Sequence, residues 1–164
     1  MMKKTRLPAA LLTFALLFML VFAGCGEKEQ NEPPLPLKCS ITVTAADVLE
    51  HKDLISADKL ALIPENGIIL QNDVYFSEGD NLTLFDAVTQ ALQSAKIQYE
   101  SETGSYFTAF GNIYATDCEF GGWMYTVNGE SPVVGSNEII LADGDVAEFF
   151  YVCDYNAYFA ELYQ

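Results

Sequence analysis

Side chains alternate in Trp123-Met124-Tyr125-Thr126-Val127, which puts Trp123, Tyr125 and Val127 on one face of a strand and Met124 and Thr126 on the other. Asn128-Gly129 follows, a pair that tolerates positive φ and suits a tight turn. Asp143-Gly144-Asp145 makes a second turn before the run Val146 to Cys153. That run is apolar on both faces, with Ala147, Phe149 and Tyr151 on one and Val146, Phe150 and Val152 on the other; Glu148 is the exception. Two-sided apolarity predicts a strand in the middle of a sheet, covered above and below.

Upstream, Cys39 to Thr44 alternates with Ile41 and Val43 inward and predicts the first strand. Ala45 to Leu62 carries a broken helical pattern, and Pro64-Glu65-Asn66-Gly67 is a turn. Ile68 to Leu70 and Val74 to Phe76 read as short strands around a polar break. Thr83, with Asp86 three residues on, is an N-cap for a helix running to about Ala95, whose stripe is Leu84, Val88, Ala91, Leu92 and Ala95. Ile97 to Tyr99 starts another strand, and Ser105 to Tyr114 is rich in aromatic and small residues. Beyond Asp154, Tyr155, Tyr158, Phe159, Leu162 and Tyr163 make an aromatic tail that either packs back on the domain or stays free to bind. This order predicts an α+β fold, a β-grasp-like mixed sheet crossed by one amphipathic helix, with the first and last strands parallel in its centre. The sheet's other face is then covered by a loop such as Ala45 to Leu62, or open to a ligand.

The N-terminus changes the picture of where the domain sits. Lys3, Lys4 and Arg6 precede an apolar run from Leu7 to Phe22, closed by Phe22-Ala23-Gly24-Cys25. This architecture resembles a bacterial lipoprotein signal, cleaved before Cys25, which is then acylated. The expected organisation is a signal peptide over 1–24, an acylated Cys25 and Pro-rich tether over 25–38, a domain over 39–154 and the tail over 155–164. The protein would be extracytoplasmic, anchored to a bacterial membrane through lipid. Cleavage leaves five lysines and no arginine against 23 acids, a formal charge of −18. A chain this acidic has no basic patch for DNA or RNA, so nucleic acid is excluded as a partner. In an oxidising compartment Cys39, Cys118 and Cys153 permit one internal bridge. Cys118 with Cys153 is the expected disulfide, since each flanks a strand of the Trp123 unit, and Cys39 with Cys153 is the alternative. Such a bridge typically contributes about 3–4 kcal/mol.

The segment Gly122, Trp123, Tyr125, Val127, Asn128, Gly129, then Gly135, then Leu141, Asp143, Gly144, Asp145, Val146, Glu148, Tyr151, Cys153 and Asp154 resembles bacterial domains of unknown function related to the C-terminal domain of transcobalamin and intrinsic factor. The resemblance spans about Cys39 to Asp154. It implies a transcobalamin C-terminal-domain-like fold and a corrinoid, cobalamin, as a possible small-molecule ligand. Trp123 corresponds to a tryptophan that opens the matching strand in transcobalamin. With Tyr125 beside it, and with Tyr106 and Phe110 as a second wall, it is a candidate platform for a flat apolar ligand. The alternative is that these aromatics are core, and that the domain docks an envelope or host protein with no small ligand. The long helical domain of the B12 carriers is absent from this chain.

Catalytic patterns are missing. There is no Gly-x-Ser-x-Gly, no phosphate loop and no His-Glu pair at metal spacing, so the sequence reads as a binding module and not an enzyme. No Cys-x-x-Cys or His-Cys spacing marks a metal centre. Asp143 and Asp145 are ordinary turn residues. His51, the only histidine, sits between Glu50 and Lys52 and reads as a solvated surface residue.

Overall fold

The computed structural model describes residues 35–162. The expected signal peptide, Cys25 and most of the expected tether lie outside the described residues. Strands β1 (Leu37–Thr44), β2 (Ile68–Phe76), β6 (Gly122–Val127) and β7 (Val146–Val152) form one sheet in the order β2-β1-β7-β6. β1 and β7 are parallel at its centre, with Val43 opposite Phe149, and the other pairs are antiparallel. This is the expected mixed sheet, with first and last strands as central neighbours. Strands β3 (Tyr99–Glu102), β4 (Tyr106–Phe110) and β5 (Ile113–Tyr114) form a second, antiparallel sheet.

The alternation along β1 buries Cys39, Ile41 and Val43 and turns Lys38, Ser40 and Thr42 outward. On the inward side lies the amphipathic helix α3 (Leu84–Ala95), with Leu84, Ala87, Val88, Ala91 and Leu92 buried. Ala95, expected on that stripe, is exposed at the helix end. Phe107 and Phe110 of β4 fill the rest of that side. Phe107 stacks on Phe85 of α3 at 4.9 Å and meets Phe149 edge-on at 5.3 Å. One aromatic cluster therefore joins helix, first sheet and second sheet, each large side chain contributing about 1.5–3 kcal/mol by its burial.

Thr83 caps α3 as its sequence predicts. Its Oγ1 accepts from the Asp86 N–H at 3.1 Å and donates to Asp86 Oδ2 at 2.7 Å. Thr83→Ala is expected to cost about 1 kcal/mol and to lower the melting temperature by a few degrees. An unchanged melt would mean that the backbone bridge from Thr83 to Ile140 holds the helix start by itself.

One expectation changes and two open ones are resolved. The two short strands around a polar break are one strand, β2, because pairing with β1 runs unbroken from Phe76 to Leu70. Gln71, Asp73 and Tyr75 stay in solvent on its outer side while Leu70, Val74 and Phe76 are buried. The region after β1 forms two short helices, α1 (Ala46–Glu50) and α2 (Ala57–Leu60). The aromatic tail is a helix, α4 (Tyr155–Leu162), which covers part of the outer face of the sheet: Tyr158 meets Phe150 at 5.8 Å. That explains the second apolar face of β7, where Val152 is buried under the end of the sheet while Val146, far from α4, is exposed. No helix among the described residues is long and apolar enough to cross a membrane.

Candidate metal centre

The disulfide is not formed. Cys118 Sγ and Cys153 Sγ stand 3.4 Å apart, against about 2.05 Å for a bonded pair. Cys39 is also a free, buried thiol, packed toward the Val74 carbonyl, so the alternative pairing is not made either. Strand pairing does bring Cys118 and Cys153 together as expected. The backbone N–H of Cys118 is held by the Tyr151 hydroxyl at 3.0 Å and that of Cys153 by Asp47 Oδ2 at 2.8 Å, and this arrangement leaves the sulfurs in contact as thiols.

The four aromatic candidates do not make one platform. Trp123 is 3% exposed and Phe110 0%. The two rings meet edge-on in the core, 4.7 Å between centroids. Tyr125 is half-buried, stacked on Phe149 at 5.2 Å, and its hydroxyl donates to the Val134 carbonyl. Only Tyr106 is well exposed, at 42%, where it interacts with the Tyr155 hydroxyl. A flat ligand has no exposed tryptophan to stack against.

What the fold does bring together is a set of donors from opposite ends of the chain. Helix α1 is short, but Asp47 in its first turn and His51 at its C-cap are four residues apart and share a face. His51 Nδ1 lies 3.0 Å from the Asp47 carbonyl and 3.2 Å from Asp47 Oδ1. Both neighbours are acceptors, so Nδ1 carries the hydrogen and the ring lone pair is on Nε2. The carbonyl first, then the carboxylate, raise the His51 pKa above its ordinary value. Cys153, at the end of β7, completes the group: one donor atom each from Asp47, His51 and Cys153 lies within 4.8 Å of the others. Burial pushes the Cys153 thiol well up, and hydrogen bonding with Cys118 and Asp47 adds to it, so the sulfur keeps its proton until a cation replaces it.

The group sits at a boundary between core and solvent. Cys153 is buried, whereas the side chains of Asp47 and His51 are 37% and 51% exposed. They open on a cleft of about 190 Å³ walled by Phe150, Asp154, and Ala157 and Tyr158 of α4. On the other side, Cys153 and Asp154 border a shallow groove that also holds Leu54 and Phe120. A further depression of about 260 Å³ over the second sheet contains Glu100 and Tyr114, hydrogen-bonded to each other at 3.0 Å, and no comparable donor set. No spacing in the sequence marks this donor group as a whole, because Cys153 is more than a hundred positions from Asp47. The Asp47-x-x-x-His51 spacing was the one local signal available.

Three comparisons place the chain among known proteins. No curated protein matches it in sequence. Among solved structures, one from Ruminococcus gnavus ATCC 29149, described as a candidate metal binding protein, is 19% identical, with a TM-score of 0.43 over 73% of this chain and 99% of that one. Haptocorrin in complex with Cbi is 13% identical, with a TM-score of 0.48 over 72% of this chain. The chain spans only 25% of the haptocorrin length. Asp47, His51 and Cys153 fall outside the stretch that matches a family model, whereas α3, the second sheet and the β6–β7 pair fall inside it. That stretch, residues 81–152, matches the DUF4430 family model, a domain of unknown function.

Proposed function

We propose that this chain is an extracytoplasmic binding module that captures a zinc-class transition-metal cation at Asp47, His51 and Cys153. The observation that carries the proposal is the convergence of one oxygen, one nitrogen and one sulfur donor within 4.8 Å at the mouth of a cleft. Thiolate and imidazole select zinc and its neighbours over calcium and magnesium, which take oxygen. Spacing supports it too: oxygen and nitrogen ligands about 2.0–2.1 Å from a tetrahedral zinc stand about 3.3–3.4 Å apart. Asp47 Oδ1 and His51 Nδ1 are already at 3.2 Å. Binding at Nδ1 would move the His51 hydrogen to Nε2, and the cation would displace the Cys153 proton to solvent. The exposed rim gives it a way in.

A corrinoid, the ligand implied by the sequence resemblance, is supported less well. A corrin ring is far larger than the 190 Å³ cleft, and the aromatics that would stack on it are largely in the core. Protein docking is the second reading, favoured by the buried Trp123 and by Leu54 and Phe120, which are 43% and 54% exposed beside Cys153.

Titration of the reduced, metal-free chain with Zn²⁺ tests the proposal. Saturation at a hundred times Kd should stabilise the fold by about 2.7 kcal/mol. His51→Ala should weaken binding by at least ~10–100-fold. A wild-type chain that takes up Zn²⁺ no better than Ca²⁺ would leave protein docking as the function.

The proposal also has the module held at the outer side of a bacterial membrane by acylated Cys25. Cys25→Ala should abolish labelling by a radioactive fatty acid and leave the signal uncleaved. Unchanged labelling in that variant would rule the anchor out.

A further inference from the structure

We infer that Cys118 supplies a fourth ligand, closing a shell of two sulfurs, one nitrogen and one oxygen around the cation; the inference rests on the metal-binding reading above. Two thiolates about 2.3 Å from one tetrahedral zinc stand about 3.7 Å apart. The Cys118 and Cys153 sulfurs, unbonded at 3.4 Å, are close to that separation and far from disulfide length. Their backbones are fixed independently. Tyr151 holds the Cys118 N–H at 3.0 Å and anchors its own hydroxyl on the Ala115 carbonyl at 3.2 Å, while Asp47 holds the Cys153 N–H at 2.8 Å. The sulfur pair is thus a preformed half of a tetrahedron, built on the sheet and the loop before β6.

Cys118 is not among the donors that lie mutually within 4.8 Å, so the shell closes by movement. The movable member is His51, 51% exposed at the rim; Asp47 stays on the Cys153 N–H through Oδ2 and offers Oδ1, and both cysteines are buried. A cation seated between the sulfurs draws the imidazole inward over it. The result ties α1, the loop before β6 and the end of β7 to one atom. It also sharpens the choice of ion: two sulfurs favour Zn²⁺, Cd²⁺ and Co²⁺, and disfavour Mg²⁺, Ca²⁺ and Mn²⁺, more strongly than one sulfur would.

The test uses the reduced full-length chain loaded with Co²⁺ or Zn²⁺. X-ray absorption at the zinc edge of the wild type should count two sulfur scatterers at about 2.3 Å. The thiolate-to-cobalt charge-transfer band should fall by about half in Cys118→Ser, as one of two Co–S bonds is lost, with Zn²⁺ affinity down at least ~10-fold. Cys39→Ser, a buried thiol elsewhere in the sheet, should leave band and affinity unchanged. One sulfur in the wild-type shell, or a full band in a folded Cys118→Ser chain, would overturn the fourth ligand and leave the three-ligand site standing. No band in the wild type would end both.

Discussion

Replacing Trp123 with alanine is expected to lower the stability of the fold by about 3–5 kcal/mol. For a domain of this size that corresponds to a melting temperature lower by about 10–20 °C. The ring lies in the core, edge-on to Phe110 at 4.7 Å and to Tyr151 at 5.1 Å. Its Nε1–H donates to the Ile113 carbonyl at 3.2 Å, the one hydrogen bond by which β6 reaches β5 of the second sheet through this side chain. Truncation therefore opens a cavity between two sheets and removes a buried hydrogen bond to the Ile113 carbonyl, and the two costs add. Trp123→Phe keeps most of the ring area and loses the donor, so it should cost about 1–2 kcal/mol, the size of a buried hydrogen bond plus a small loss of packing. Thermal melts of the two variants give the comparison. A loss below about 1 kcal/mol for Trp123→Ala would put the ring at the surface and return it to the list of ligand contacts.

Local chemistry was legible along the chain wherever it acts within a few residues. Thr83 and Asp86 cap α3 as their spacing predicts, and Asn128 and Gly129 both adopt positive φ, 53° and 82°, in the turn after β6. Alternation correctly grouped Trp123, Tyr125 and Val127 on one face, and order of elements gave the parallel β1–β7 centre. Alternation cannot say which face is covered, however. β7 is apolar on both sides because the core lies under one and α4 over part of the other, and the sequence left open whether the aromatic tail packs back. The polar break in β2 misled for a related reason: an edge strand keeps its outer side in water, so Gln71 and Asp73 interrupt the hydrophobic run without interrupting the strand. The candidate donor group of Asp47, His51 and Cys153 was the least legible. Its members acquire meaning only when β1 and β7 pair, which carries α1 to the end of β7 and sets Asp47 against Cys153. The cysteine pair shows the same limit in reverse. Proximity of Cys118 and Cys153 follows from strand order, but whether two adjacent sulfurs bond or stay thiols depends on a separation, 3.4 Å against about 2.05 Å, that no spacing encodes.

Gly122→Ala should detach α4 while sparing the metal ligands, and so separates the cleft from the centre beneath it. Gly122 is buried at the start of β6, and an alanine Cβ there would collide with the Tyr155 hydroxyl and lie 2.6 Å from its Cζ and 2.9 Å from its Cε2. The obstacle is the ring of a tyrosine that opens α4, and that residue is pinned from both directions. Its N–H donates to the Phe120 carbonyl at 2.9 Å, and Asp154 Oδ1 caps the following turn by accepting from Asn156 at 2.8 Å and Ala157 at 3.2 Å. The ring has to swing out, and an eight-residue helix is too short to persist in water without its packing. A cost of about 1–3 kcal/mol is expected, the usual range for overpacking, with early proteolytic cleavage within α4. Zn²⁺ affinity should change by less than about 10-fold, since the variant removes Ala157 and Tyr158 from the cleft wall but no donor atom, and ligand loss is the larger effect. Tyr155→Ala gives the internal control. It removes the obstacle, so adding Gly122→Ala to it should cost almost nothing further, a strongly non-additive cycle. Full additivity of the two substitutions would show that Gly122 is required for some reason other than the tyrosine above it.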